Sequence, residues 1–416
     1  GASPGAESAD RHMMPVGHLF GWPADFLLTA GASTREVKST HPAKVPFECL
    51  RMGLSPEQVE RNRGRDSWGW RIASRPCVRV AWDDGGMVTS NIVEFAGKAR
   101  MPRLGMGTMA LSIEGRPDRA TAIGTIHAAL DAGVRYLDTA WSYYLPSEPG
   151  PDGTGVPRDF GYGEMLVHAA LASWSGPRDE VLVATKTGYR RTLEVTNRDA
   201  EDPQQSPGDG ASASASERQH LQAAGSRYGW MADSRPETMI RDAKESALRL
   251  GVDALDLLYS HGPDPAVPYE DTVGALKTLL DEGVIRFAGI SRVDNAQIDT
   301  ARGILGDRLI AVQNQFSPSH PDPEHTMGHC ADLGLDFVCW SPLGGFLDAF
   351  DSHAYDPFRT VAAARGVSYQ RVVLAWELTR YDRLFTIPSA RNPHEVRDSF
   401  AAVNLTLAPE ELSLLP

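Results

Sequence analysis

The sequence has 416 residues, 42% of them hydrophobic and 23% charged, which is the balance of a folded protein with one large core and some additional segments. A formal net charge of −13 is compatible with a small phosphorylated ligand but argues against nucleic acid as a partner. No run approaches about eighteen uncharged apolar residues, and no cationic stretch precedes an apolar segment at the start. We therefore expect a cytoplasmic protein without a membrane span or secretory signal.

The first part of the chain differs from the remainder. Residues 1–13 are small and polar and end directly before Met14, which predicts a cloning remnant joined to a start codon. Residues 14–86 lack both strand alternation and helical periodicity over a useful length. We place the main domain at 87–416, and we interpret 14–86 either as upstream sequence from an overlong gene assignment or as an ordered arm.

From residue 87 onward, short apolar segments alternate with amphipathic helices. The first two segments, 92–95 and 99–102, flank Gly97 and predict a hairpin. Strands are then predicted at 103–108, 136–140, 181–187, 254–260, 286–291, 310–315, 335–341 and 384–388. The intervening helices have apolar residues three and four positions apart and include 118–132, 235–250 and 269–282. Eight such alternations predict an α/β fold, a (β/α)8 TIM barrel with an N-terminal closing hairpin.

Two loops are unusually long, and both follow the carboxyl end of a strand, where barrels of this type hold their chemistry. The loop at 144–160 is rich in proline and glycine, and the loop at 189–233 contains the low-complexity run 208–216. The second loop is too long for a passive connector, so it is either a mobile lid or partly disordered. We expect its middle to be disordered and its end, 228–231, to be ordered over the site.

Three strand ends carry polar residue types that suit one another. Asp138 ends the second strand and Tyr143 follows five residues later, while Lys186 and His261 end the third and fourth strands. Neighbouring barrel strands bring their ends together, and a lysine in an apolar strand is costly unless it is paired. Each residue alone has a plain structural interpretation: a loop cap, a lysine that reaches solvent, or a hydrogen-bonded histidine. Their joint occurrence predicts that the four side chains meet.

These four positions resemble the catalytic tetrad of the aldo-keto reductase family, and the resemblance extends from about Leu104 to Glu411. Other matching segments are 163–164, 230–237, 289–291, 312–314, 340–343 and 387–392. The resemblance implies reduction of a small aldehyde or ketone to an alcohol with NADPH. The four cysteines show no metal-ligand spacing. A hydrolytic metal barrel would need several histidines or carboxylates at its strand ends, and only Asp138 and His261 qualify, so we expect no metal.

Carbonyl reduction requires hydride at carbon and a proton at oxygen, so a weak acid must contact the developing alkoxide. Tyr143 is predicted to be that acid, with its pKa lowered by the Lys186 ammonium, which Asp138 orients. His261 is predicted to hold the substrate oxygen. Tyr144 is the alternative acid, although a strand-like segment would point it the other way.

By resemblance, Ser291 and Gln313 hold the carboxamide of the nicotinamide, and Trp340 stacks on its ring. The segment that follows Trp340 contributes two further cofactor-binding positions, Ser341 and Leu343.

The position that binds the adenosine 2′-phosphate in the family falls at Arg391, with Ser389 and Asn392 beside it, which favours NADPH over NADH. Arg292 is also expected near the cofactor, although the family commonly has an asparagine there. Its guanidinium is expected to face either the cofactor pyrophosphate or an anionic group of the substrate.

The aromatic residues of the long loops, Trp141, Tyr144 and Trp230, are expected to line the substrate pocket, which suggests a bulky natural-product or sugar intermediate. Two alternatives stay open. The protein is an NADP-dependent sugar or alcohol dehydrogenase working in the reverse direction, or it is a non-enzymatic NADPH-binding regulatory subunit. The sequence gives no indication of the oligomeric state.

Overall fold

The computed structural model describes residues 81–83, 86–88, 91–146, 159–192, 229–322, 324–344 and 353–416. The predicted cloning remnant, the predicted disordered run and nearly all of the extension 14–86 lie outside these residues. A short antiparallel strand pair crosses the predicted domain start, since Trp82 on one strand is opposite Met87 on the other.

The strands of the described part are β1 (Ala81–Asp83), β2 (Gly86–Val88), β3 (Ile92–Phe95), β4 (Lys98–Pro102), β5 (Met106–Gly107), β6 (Tyr136–Asp138), β7 (Leu182–Thr187), β8 (Tyr189–Thr192), β9 (Gly229–Ala232), β10 (Leu255–Ser260), β11 (Ile285–Ser291), β12 (Leu309–Gln315), β13 (Asp336–Trp340) and β14 (Leu384–Thr386). The helices are α1 (Arg119–Ala132), α2 (Tyr162–Ser173), α3 (Pro236–Leu250), α4 (Tyr269–Asp281), α5 (Asn295–Leu305), α6 (Thr326–Leu333), α7 (Asp356–Arg365), α8 (Tyr369–Glu377), α9 (Pro393–Phe400) and α10 (Pro409–Leu412). None of these helices is long and apolar enough to cross a membrane.

A parallel sheet of eight strands forms the barrel in the order β5, β6, β7, β10, β11, β12, β13, β14. Two parallel bridges, Leu104 to Thr386 and Gly107 to Ser389, join the first strand to the last and close it. Helices separate successive strands, so the predicted (β/α)8 barrel is confirmed. All eight predicted strands overlap the observed ones, although several are shorter than predicted, β5 most of all.

The hairpin of β3 and β4 closes the amino-terminal end of the barrel. Its two-residue turn has positive φ at both Ala96 (48°) and Gly97 (76°), as tight hairpins that match strand twist require. The turn directs Phe95 and Met101 into the base of the barrel, where both are buried. The ring centroid of Phe95 lies 4.5 Å from that of Phe385, so the hairpin plugs the barrel with an aromatic contact.

Side chains alternate between the barrel interior and the layer beneath the helices, because successive residues of a strand point to opposite faces. On β6, Tyr136 packs inside the barrel, whereas Leu137 packs in the layer under the helices. The interior contains Phe95, Met101, Tyr136, Leu182, Ala184, Leu257, Tyr259, Ala311, Val338, Phe385 and Ile387. This apolar layer supports the polar strand ends above it.

The contact between α2 and the turn after β6 leaves no room for a side chain at Gly163. A Cβ there would lie 2.8 Å from the carbonyl oxygen of Tyr143 and 2.9 Å from its Cβ. Gly124 in α1 has nothing within 4 Å of the same position. Both glycines lie within helices, so Gly124 is a suitable control for the effect of adding a methyl group at Gly163.

We expect Gly163→Ala to destabilise the protein by about 1–3 kcal/mol, because the added methyl overlaps backbone atoms. Gly124→Ala should stabilise it by about 0.5–1 kcal/mol, since alanine loses less backbone entropy in a helix. Urea unfolding followed by circular dichroism measures both changes. Shifts of the same sign in the two variants would contradict the steric argument.

Candidate active site

Strand alternation brings the polar strand ends to one point at the carboxyl end of the barrel. Asp138 shares the inward face of β6 with Tyr136, and Lys186 shares the inward face of β7 with Ala184. The four predicted residues Asp138, Tyr143, Lys186 and His261 are all buried there.

Lys186 is the centre of the group. Its Nζ donates to a carboxylate oxygen of Asp138, to the Thr139 carbonyl at 2.9 Å and to the Tyr143 hydroxyl at 3.4 Å. The other carboxylate oxygen of Asp138 accepts from Nε2 of Gln313 at 2.9 Å. Both charged side chains are 2% exposed, so each depends on the other for compensation.

The pKa values follow from this burial. Burial raises the pKa of Asp138, while Lys186 and Gln313 oppose the rise. Burial disfavours the charge on Lys186, but Asp138 and Tyr143 outweigh it and raise the pKa of Lys186. The expected lowering of the Tyr143 pKa is wrong: burial raises the pKa of Tyr143 above its usual value, and the attraction of Lys186 reduces the rise without reversing it.

His261 lies beside Tyr143, with their ring centroids 6.0 Å apart and the rings nearly perpendicular at 74°. Its Nδ1 is 3.4 Å from the Ser142 hydroxyl. Burial, together with the positive charges of Lys186 and Arg292, holds the pKa of His261 well below its usual value of 6.5. The imidazole is therefore neutral at physiological pH.

The hairpin of β8 and β9 borders the site. Trp230 on β9 stands edge-on to Tyr143 at a centroid distance of 6.3 Å and to His261 at 6.2 Å. Opposite it in register is Arg191, whose guanidinium carbon lies 4.3 Å from the indole centroid. Arg191 also forms an ion pair with Glu114 from the loop after β5, so the two loops are joined beside the site.

A cavity of about 410 Å³ opens beside these groups. Of the three aromatic residues predicted to line it, Trp230 does so. Trp141 and Tyr144 are buried elsewhere, with both rings against Phe160. Their direction is set by the turn after β6, in which the Tyr143 amide donates to the Ala140 carbonyl, and strand alternation does not describe that turn. Tyr144, the alternative acid, thus lies away from the cavity.

Eight of the nine predicted cofactor positions line the same cavity: Ser291, Arg292, Gln313, Trp340, Ser341, Leu343, Ser389 and Arg391. The ninth, Asn392, is the N-cap of α9, where its side-chain oxygen accepts from the amides of His394 and Glu395.

Some residues at the site carry no motif in the sequence. Glu114 lines the cavity from the loop after β5, and Tyr189 and Arg191 follow β7 in the segment Tyr189–Thr192. Arg191 and Glu114 are 77 residues apart, so local patterning gives no indication of their ion pair. The signal that was available is the run of an aromatic residue and two arginines that begins three positions beyond Lys186.

The chain belongs to the aldo/keto reductase family, whose sequence model matches residues 103–415. It is therefore an NADP-dependent oxidoreductase of a family that acts on small carbonyl compounds. It is 27% identical over 330 residues to pyridoxine 4-dehydrogenase of Escherichia coli, covering 77% of this chain and 95% of that protein. It is 29% identical over 278 residues to 6-dehydroglucose reductase of Novosphingobium aromaticivorans, covering 65% and 76%.

Solved structures share the fold. An aldo/keto reductase from Klebsiella pneumoniae in complex with NADP and acetate superposes with a TM-score of 0.57 at 23% identity, covering 78% of this chain and 93% of that one. The glycerol dehydrogenase of Gluconobacter oxydans gives a TM-score of 0.56 at 22% identity, covering 79% and 94%.

The cavity residues fit a nicotinamide cofactor. Trp340 presents an aromatic face at the cavity wall, and its Nε1 is buried without a hydrogen-bond partner among the described residues. Ser291 and Gln313 provide buried polar groups to the lining, and Arg391 provides an exposed cation. An aromatic ring, buried polar groups and an exposed cation in one cavity suit a ligand that has a ring, a carboxamide and a phosphate.

The buried neutral His261 should make stability depend on pH. In the unfolded chain the imidazole takes up a proton below about pH 6.5, whereas the folded protein does not, so this contribution is present above pH 6.5 and lost as the pH falls. Between pH 8 and 5.5 the free energy of unfolding should fall by about 1.4 kcal/mol more in the wild type than in His261→Gln. Urea unfolding at the two pH values tests this, and equal losses would show that folded His261 accepts a proton.

Proposed function

We propose that this protein reduces a polar aldehyde or ketone to an alcohol with NADPH, and that Tyr143 donates the proton to the substrate oxygen. The observation that carries this proposal is the contact of the Tyr143 hydroxyl with the Lys186 ammonium at the wall of a cavity suited to a nicotinamide. When bound, NADPH supplies the hydride; the residues of the chain supply the proton and orient the carbonyl.

The protonated state of Tyr143 suits the reductive direction. A phenol is protonated at neutral pH even at its usual pKa, and burial of Tyr143 raises that pKa and makes the proton harder to release. The phenolate that remains after proton transfer is stabilised by Lys186, which is itself held by Asp138. Oxidation of an alcohol would need the phenolate as a base, so alkaline conditions would favour the reverse reaction.

His261 is assigned the second contact to the substrate oxygen. We assign Nδ1 of the neutral imidazole as the acceptor of the Ser142 hydroxyl, which places the ring proton on Nε2 and makes it available to the carbonyl oxygen. His261 therefore orients the carbonyl without competing with Tyr143 as the acid. Trp230 forms the wall beside both rings and excludes water from the reacting atoms.

We assign Ser291 and Gln313 to the nicotinamide carboxamide, Trp340 to its ring and Arg391 to the 2′-phosphate.

The names of the two relatives, a pyridoxine dehydrogenase and a dehydroglucose reductase, support polar ring compounds as substrates. Steady-state assays with NADPH on the 4-aldehyde of pyridoxine, on 6-dehydroglucose and on simple aldehydes test the proposal. Turnover distinguishes an enzyme from an NADPH-binding subunit, and comparison with NADP⁺ plus alcohols distinguishes reduction from dehydrogenation.

Replacing Tyr143 with Phe should lower kcat about 100-fold to 10,000-fold, the usual loss when a general acid is removed, while NADPH affinity stays nearly unchanged. Tyr144→Phe is the matched control, because its hydroxyl faces the Arg191 amide and lies away from the cavity. Normal turnover by Tyr143→Phe, or an inactive Tyr144→Phe, would overturn the assignment of the acid.

Replacing Arg391 with Ala should weaken NADPH about 10-fold to 150-fold and leave NADH nearly unaffected, because only NADPH carries the 2′-phosphate. The control is Arg397→Ala. Arg397 is an exposed arginine of α9 that does not line the cavity, so its removal should change the affinity for neither cofactor. Fluorescence titration gives both dissociation constants. Equal losses for the two cofactors in Arg391→Ala would show that this residue does not bind the phosphate.

A further inference from the structure

Arg292 lines the cavity directly after β11 and is half-buried there. Its guanidinium carbon lies 5.4 Å from the ring centroid of Tyr189 and 5.0 Å from that of Trp340. One aromatic ring belongs to the hairpin after β7 and the other to the end of β13, so the guanidinium stands between opposite sides of the opening. These two aromatic neighbours hold the cation at the wall of the cavity that Tyr143 and His261 also line.

The backbone at this position is unfavourable for arginine. Arg292 has φ of +57°, a left-handed conformation that long side chains rarely adopt. Its amide donates to the Gln313 carbonyl at 3.2 Å, which fixes the conformation to the neighbouring strand. Strain of this kind at a cavity wall is typical of a residue retained for what its side chain binds.

The side chain runs toward the reacting groups. A Cβ on Gly262, the residue after His261, would lie 3.4 Å from Cδ of Arg292, so the stem of the arginine passes beside the end of β10. The positive charge of Arg292 lowers the pKa values of both Tyr143 and His261. Arg391, the proposed phosphate ligand, follows β14, three strands further round the barrel. Arg292 therefore faces the space above the carbonyl site.

We infer that Arg292 binds an anionic group of the substrate, a carboxylate or a phosphate, while Tyr143 and His261 hold its carbonyl oxygen. The inference rests on the proposed carbonyl reduction and adds the chemical class of the substrate: an oxo acid or a phosphorylated carbonyl compound. The planar fork of a guanidinium matches two oxygens of either anion, which a neutral residue at this position cannot do.

The test compares substrates of similar shape and different charge: 4-carboxybenzaldehyde, its methyl ester and 4-formylphenyl phosphate. Each is assayed with the wild type, with Arg292→Met, which keeps the length of the side chain, and with Arg292→Lys, which keeps the charge and loses the fork. Arg308→Met is the control, because Arg308 precedes β12 at the opposite end of the barrel. The dissociation constant of NADPH is measured for every variant.

We expect the wild type to prefer a charged aldehyde to the ester in kcat/KM by at least about 10-fold, and Arg292→Met to lose roughly 10-fold to 100-fold of that preference. Arg292→Lys should lose part of the preference, and Arg308→Met none. The identity of the better charged substrate separates carboxylate from phosphate. The affinity for NADPH should change less than about 3-fold.

A charge preference that survives in Arg292→Met, or no preference in the wild type, would overturn the inference. So would a large loss of NADPH affinity with the ratio unchanged, because Arg292 would then bind the cofactor. A wild type that reduces none of these aldehydes would contradict the proposed function instead. Calorimetric binding of the same compounds to the NADP⁺-saturated protein then decides: a charge preference lost in Arg292→Met supports the inference, and equal affinities refute it.

Discussion

The ion pair of Lys186 and Asp138 is buried where water cannot compensate either charge, and the geometry of the site depends on it. An uncompensated charge in such a position costs several kcal/mol, so the two side chains are stable only together. Gln313 on β12 donates a hydrogen bond to the carboxylate oxygen of Asp138 that Lys186 does not contact. The Asp138 carboxylate therefore links the ends of β6, β7 and β12. The Lys186 ammonium, held by Asp138, in turn contacts the Tyr143 hydroxyl and fixes its position.

The cations around the site act on Tyr143 and His261 in complementary ways. Positive charge on Lys186 and Arg292 favours a negative charge on the phenol and opposes a positive charge on the imidazole. The same charges therefore assist proton release by one residue and prevent proton uptake by the other. Burial acts against these cations on Tyr143, because it raises the pKa of the phenol.

The barrel and the meeting of Asp138, Tyr143, Lys186 and His261 were predictable, because alternation along strands and the order of strand ends are local properties of the sequence. Features that depend on the folded environment were not. The directions of Trp141 and Tyr144 follow from a turn, and the raised pKa of Tyr143 follows from burial that exceeds the effect of a neighbouring cation. The ion pair of Arg191 with Glu114 joins segments that are distant in the sequence, so no periodic pattern in the sequence predicts it.

That pairing has a consequence for how the enzyme can diverge. The Arg191 side chain is inaccessible to solvent, so exchanging only the loop that carries Glu114 would remove a buried ion-pair partner from a cation beside Trp230. The loop after β5 and the hairpin after β7 must therefore change together when substrate range changes. Recombination that transplants both as one cassette should yield folded chimeras more often than replacement of either loop alone.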